Sequence, residues 1–196
     1  MGSPAIQNPP HALAAMPRYI AFLRAINVGG RTVTMEALRA QFQGLGFLQV
    51  ETFIASGNVI FTSRSSSGPV LQRRIEAKLQ QALGYEVATF LRTDAELQAI
   101  AGRPPFDEAE RRQAGAFNVA FLAQAPDAAR VARLAPLKTA IDDFQVQGRE
   151  VYWLCRLRQN ESKFSNAVLE RTLQLKATFR NFNTVTRLAA KYPPAG

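Results

Sequence analysis

Histidine and cysteine are all but missing from this chain: His11 and Cys155 are the only ones among its 196 residues. Their scarcity excludes a Ser-His-Asp or Cys-His nucleophilic arrangement, an imidazole or thiolate zinc site, and any disulfide within the chain. Cys155 alternates with Val151 and Trp153 along an apolar run, which is the position of a small packed side chain rather than a nucleophile. Also missing is any apolar run near the roughly 20 residues that span a bilayer, because Arg24, Ser56 or Arg156 interrupts the longest candidates. Residues 1–15 contain no Lys, Arg, Asp or Glu and include Pro4, Pro9 and Pro10. With Gln7, Asn8 and His11 breaking its apolar stretch, this segment reads as a leader or tag and not as a secretory signal. The expected location is cytoplasmic.

What is present is a chain with 47% apolar residues, enough for one large core or two small ones. Its strongest pattern is an internal doubling. Residues 18–26, 35–47, 50–56, 58–63, 70–83 and 87–92 read as strand, helix, strand, strand, helix, strand. Residues 116–123, 127–139, 144–147, 150–156, 163–175 and a short piece near Phe179 repeat that order. Each half is a βαββαβ unit, so the fold class expected is α+β: two ferredoxin-like units with antiparallel sheets, plus short linking and C-terminal helices. The organisation that follows is a leader over 1–15, a first unit with a trailing helix over 16–102, a linker over 103–115, and a second unit with a C-terminal helix over 116–196.

Punctuation supports the doubling. Gly44 and Gly46 stop the first helix, and Pro69 sits where a helix begins. Ser56-Gly57-Asn58 and Gln147-Gly148 fall at matching places between short β-rich runs, as hairpin turns. Thr93 and Glu96 have capping-box spacing for a helix over 94–101, which Gly102 to Phe106 then breaks. In the first strand Tyr19, Ala21 and Leu23 share one face, and Ile20 and Phe22 share the other. Both faces are apolar, so the sheet must be covered on both sides, and helices cover only one face of such a unit. The second face is expected to lie against the other unit or another subunit. A buried face argues against base stacking on an open sheet, as RNA-recognition modules do it.

The net charge is +9, and from Arg149 onward nine basic residues face three acidic ones. Such a surface attracts polyanions, although these charges are dispersed and suit a solvated face equally. In a βαββαβ unit the loop after the first strand and the hairpin between the second and third strands emerge at one end. Arg24, Asn27, Gly29 and Gly30 are therefore expected near Ser56, Gly57 and Asn58, where exposed N–H groups and one guanidinium suit an anion. The alternative is structural: glycines for positive φ, and Arg24 paired with a carboxylate. Arg180, Asn181 and Asn183 with Phe179 and Phe182 could grip a phosphorylated planar ligand, or Asn181 or Asn183 could cap the last helix. Lys163 is a separate anion-ligand candidate. Adjacent Ser162 cannot form a Ser-Lys pair with it, since helix neighbours diverge by about 100°; Ser162 is read as a helix N-cap. Asp142 and Asp143 read as solvated turn residues, and no metal or cofactor is called for.

Residues 19–30, YIAFLRAINVGG, then SGNVIF over 56–61, Ser162-Lys163-Phe164 and Arg180 to Thr184 together resemble a bacterial family of conserved hypothetical proteins, domain of unknown function (DUF) 1697. The likeness runs from Met16 to Tyr192 and implies an α+β fold with ferredoxin-like subdomains, but it carries no catalytic residues. Two departures stand out: Arg158 to Glu161 replaces a glycine-rich approach to the Ser-Lys pair, and Phe182 stands where a tryptophan is usual. The functional expectation is a non-catalytic anion-binding module for nucleic acid or a nucleotide. The alternatives are a small-molecule enzyme for a phosphorylated or carboxylated substrate, and an oligomerisation module.

Overall fold

The computed structural model describes residues 16–27, 32–54, 57–65 and 67–194. The leader over 1–15, Gly29, Gly30 and Ser56 lie outside the described residues.

The first unit runs β1 (Arg18–Leu23), α1 (Met35–Gln43), β2 (Leu48–Thr52), β3 (Asn58–Thr62), α2 (Gly68–Leu83) and β4 (Thr89–Thr93), and α3 (Asp94–Gly102) trails it. A short helix, α4 (Glu108–Gln113), occupies the stretch between the units. The second unit runs β5 (Ala116–Leu122), α5 (Ala128–Ala132), β6 (Asp142–Gln147), β7 (Glu150–Cys155), α6 (Asn166–Leu173) and β8 (Ala177–Asn181), with α7 (Phe182–Lys191) trailing. The sheets have orders β2-β3-β1-β4 and β6-β7-β5-β8, antiparallel throughout. These are two copies of the ferredoxin-like arrangement, as the doubled sequence implies.

Local chemistry sets the boundaries. Thr34 caps α1, and full capping boxes begin α3 (Thr93 with Glu96) and α4 (Asp107 with Glu110). β1 stops at Leu23, short of the expected Ile26, because Ala25 turns the chain at φ 58°. α6 begins at Asn166 behind Ser165, so the expectation that Ser162 is its N-cap is corrected. Ser162 Oγ instead donates to Asp142 Oδ2 at 2.8 Å and accepts from Phe164 N at 2.9 Å. The expectation for Asp142 is corrected too. It is 5% exposed within β6 and takes a second bond from Trp153 Nε1 at 2.8 Å. A carboxylate can be buried there because donors meet it on both sides.

The alternating faces of β1 separate as its pattern requires. Tyr19, Ala21 and Leu23 pack under α1 and α2 with Leu38, Phe42, Leu71 and Ile75. Ile20 and Phe22, joined by Phe90 of β4, face Phe117, Val119 and Phe121 of β5 and Tyr152 of β7, with Leu97 of α3 and Val185 and Leu188 of α7 closing the same cluster. The face that helices leave uncovered is thus buried against the other unit. Its centre is the Phe22–Phe121 stack, 3.9 Å between ring centroids and 9° from parallel.

In the strands that pair with β1 and β5 the register makes the doubling exact to the residue. Phe22 pairs with Asn58 as Phe121 pairs with Glu150, and Ile20 pairs with Arg92 as Val119 pairs with Arg180. Arg92 and Arg180 are counterparts, and each reaches across to the other unit. Arg92 donates to Glu150 (2.5 Å), Leu122 O (3.0 Å) and Arg149 O (3.1 Å), with its guanidinium 5.4 Å from the Phe121 ring. Arg180 donates to Asn58 Oδ1 (2.6 Å), Leu23 O (3.0 Å) and Gly57 O (3.2 Å), and lies 5.6 Å from the Phe22 ring. Two helix carboxylates also correspond, each within its own unit: Glu76 accepts from Thr89 N at 2.9 Å, and Glu170 from Ala177 N at 2.8 Å.

Candidate functional site

The end of β1 and the β2–β3 hairpin do meet. Leu23 N donates to Gly57 O at 2.8 Å, and a Cβ at Gly57 would come within 2.8 Å of Ile26 Cγ2. Glycine is required at 57 for that approach and for its φ of 71°. Arg180 joins them, but with its donors already committed. Nη1 binds Thr178 Oγ1 (2.9 Å) and Phe179 O (2.8 Å), so five hydrogen bonds satisfy all five N–H groups. The expectation that Arg180 presents its charge to a ligand is therefore corrected: it is a strut between the units. No carboxylate among the described residues pairs with it, and burial pulls its pKa down to about 10. Asn58 is wholly buried, donating to Phe53 O at 3.0 Å while accepting from Arg180.

Arg24 remains part-exposed. Its Nη2 donates to Glu170 Oε2 at 2.7 Å, which is the carboxylate pairing foreseen as the alternative, while its Nε is buried without a partner. Asn27 Oδ1 accepts from Val33 N at 2.7 Å, so this side chain ties the β1–α1 loop across its base. Lys163 is exposed on the second unit.

Asn181 and Asn183 fall elsewhere, in a cleft of about 310 Å³ between α4 and the start of α7. Asn181 caps α7, its Oδ1 accepting from Asn183 N at 2.9 Å. Glu108, Arg111 and Arg112 of α4 line the opposite wall, and Gly115 is also part of the lining. Arg111 Nε is bound to Phe106 O (3.1 Å) and Asp107 O (3.2 Å), and its guanidinium lies 5.7 Å from the Phe182 ring. That anchoring leaves both terminal nitrogens of Arg111 without a protein partner among the described residues. Arg112 pairs with Glu108 one turn away, both well exposed. Of the sequence candidates among the described residues, Arg24, Asn27, Gly57, Asn58 and Arg180 fall at or beside a packed junction, Asn181 and Asn183 line an open cleft, and Lys163 joins neither; the cleft arginines were missed. The capping box at Asp107 and Glu110 could have found them, since it turns the linker into a helix that presents Arg111 and Arg112.

Two ferredoxin-like units packed sheet to sheet, joined by reciprocal arginines, define a tandem α+β protein. The chain belongs to the family described as protein of unknown function (DUF1697), whose model matches residues 16–152. Its structure resembles that of the conserved bacterial protein SP0830 from Streptococcus pneumoniae, with a TM-score of 0.69 at 22% identity, over 89% of this chain and 99% of that one. No curated protein matches the sequence. Among the described residues, no helix is long and apolar enough to cross a membrane.

Proposed function

We propose that this protein binds a small phosphorylated or carboxylated molecule in the cleft between α4 and α7. The observation that carries the reading is Arg111, held by two backbone carbonyls and an aromatic ring with both terminal nitrogens unused, in a cleft whose other wall is the capped start of a ten-residue helix. A pre-positioned guanidinium bonds a carboxylate or phosphate through two parallel N–H groups at little ordering cost. The amides of Asn181 and Asn183 and the partial positive charge at the helix start favour the same sign of ligand. A volume near 310 Å³ lies at the small end of ligand pockets, which suits a metabolite rather than a polymer. The inward-facing sheets leave no open face on which bases could stack, which weighs against single-stranded RNA.

The test is calorimetric titration with nucleoside monophosphates, simple carboxylates and a short oligonucleotide. One member of the small-anion panel should bind, and Arg112→Ala, which removes only a surface pair, should weaken it by roughly tenfold or more without lowering the melting temperature. Arg111→Ala should weaken it further. Affinity for the oligonucleotide alone, falling steeply with salt, would replace the proposal with a nucleic-acid role.

A further inference from the structure

A second cleft, of about 400 Å³, lies on the first unit, where the chain enters β2 and leaves β3. We infer that it is a binding site for a phosphate monoester, formed by Arg64 and Arg74 with the hydroxyls of Ser63 and Ser65. It is independent of the α4–α7 cleft and shares no residue with it.

Four observations carry the inference. The lining is of one sign: two arginines and no acidic residue. Arg74 is fixed in place, since its Nη2 donates to Leu45 O at 2.9 Å and its guanidinium lies 5.5 Å from the Phe47 ring, leaving its other N–H groups for a ligand. Arg64 is exposed and has no protein partner among the described residues. The two serines act as acceptors toward the protein and keep their protons: Ser63 Oγ accepts from Ser65 N at 3.1 Å, and Ser65 Oγ from Ser67 N at 3.4 Å. Neither hydroxyl donates to an acceptor among the described residues, so each hydrogen is left for a ligand in the cleft.

Donors alone, with two guanidiniums among them, match an oxyanion that only accepts. A phosphate monoester has three terminal oxygens and a charge near −2, whereas a carboxylate has two oxygens and a single charge. The site therefore selects phosphate over carboxylate, and the second ionisation of the ligand governs its strength.

The probe is phenyl phosphate, with benzoate as its carboxylate counterpart, followed by amide chemical shifts. Phenyl phosphate should move the amides of residues 45–48 and 62–65, and benzoate should leave them in place. Affinity should fall as pH drops through about 6, where the dianion takes up a proton. Arg64→Ala breaks no contact in the fold and should weaken binding roughly tenfold or more; Arg74→Ala should do the same, with melting temperature followed alongside. Arg111→Ala should leave these shifts intact, so failure here and failure of the α4–α7 cleft are read separately. Equal response to benzoate, no pH dependence, or an unchanged affinity in Arg64→Ala would overturn the inference.

Discussion

Replacing either inter-unit arginine by methionine should destabilise the protein, but only one of the two losses should respond to acid. Methionine keeps the packing of the aliphatic stem and removes the donors. In Arg92→Met the Glu150 carboxylate, whose side chain is only 11% exposed, loses its cation. An orphaned buried charge costs about 3–5 kcal/mol, which for a chain of this length is a drop of roughly 6–20 °C in melting temperature. The penalty exists only while the stranded carboxylate is ionised, so this loss should shrink as pH falls. In Arg180→Met five hydrogen bonds go, worth about 1 kcal/mol each, but the cost of burying an unpaired charge goes with them, leaving about 2–3 kcal/mol. No ionisable group is stranded. Burial holds the folded guanidinium's pKa down to about 10, below its ordinary value but well above neutral, so its burial cost is the same throughout neutral pH and eases only above about 10. That loss should not change between neutral and mildly acidic buffer. Thermal melts of both variants and the parent at the two pH values decide the matter, and Glu150→Met added to Arg92→Met should recover most of the stability. Equal pH responses, or an Arg180→Met protein melting with the parent, would refute the reasoning.

Gly115→Ala should be severely destabilising, because a Cβ there overlaps the Leu157 carbonyl, while Gly102→Ala, with nothing nearby, should be close to neutral by the same melts. Cys155 is fully buried and burial pushes its thiol pKa up, so labelling of the native protein should be slow; Cys155→Ala should cost about 1 kcal/mol, and fast labelling would count against its packing role. Ser162→Ala removes a donor to buried Asp142 and an acceptor for Phe164 N, and should cost about 1–3 kcal/mol in denaturant titration; no change would show that water replaces the hydroxyl.

The doubled fold was readable because periodicity and turn chemistry agree. Two apolar faces on β1 called for a cover on each side, Gly57 and Gly148 marked matching hairpins with positive φ, and Thr93 announced α3. The destinations of polar side chains were not readable in the same way. Arg180 sits among aromatic and amide residues that would equally suit a ligand, and only the register places it opposite Leu23, Gly57 and Asn58 of the other unit. Asp142 looked solvated because its donors, Trp153 and Ser162, are 11 and 20 positions away. Arg111 and Arg112 were hidden in a stretch read as a connection. Contacts of high sequence separation leave no local trace, and the Arg180 and Asp142 networks are made of them.

The reciprocal arginines also bear on how a tandem differs from a dimer. One unit facing a second copy of itself would present the same residue at both ends of the interface, since a two-fold axis repeats every contact. Whatever received one arginine would have to receive the other. Joining the units in one chain lifts that constraint, and here it has been used: Arg92 meets a carboxylate at Glu150, while Arg180 meets a neutral amide at Asn58. The two ends of the molecule consequently differ in charge although their backbones correspond. A surface feature tuned at one end can change without a matching change at the other, a freedom that an identical pair of subunits lacks.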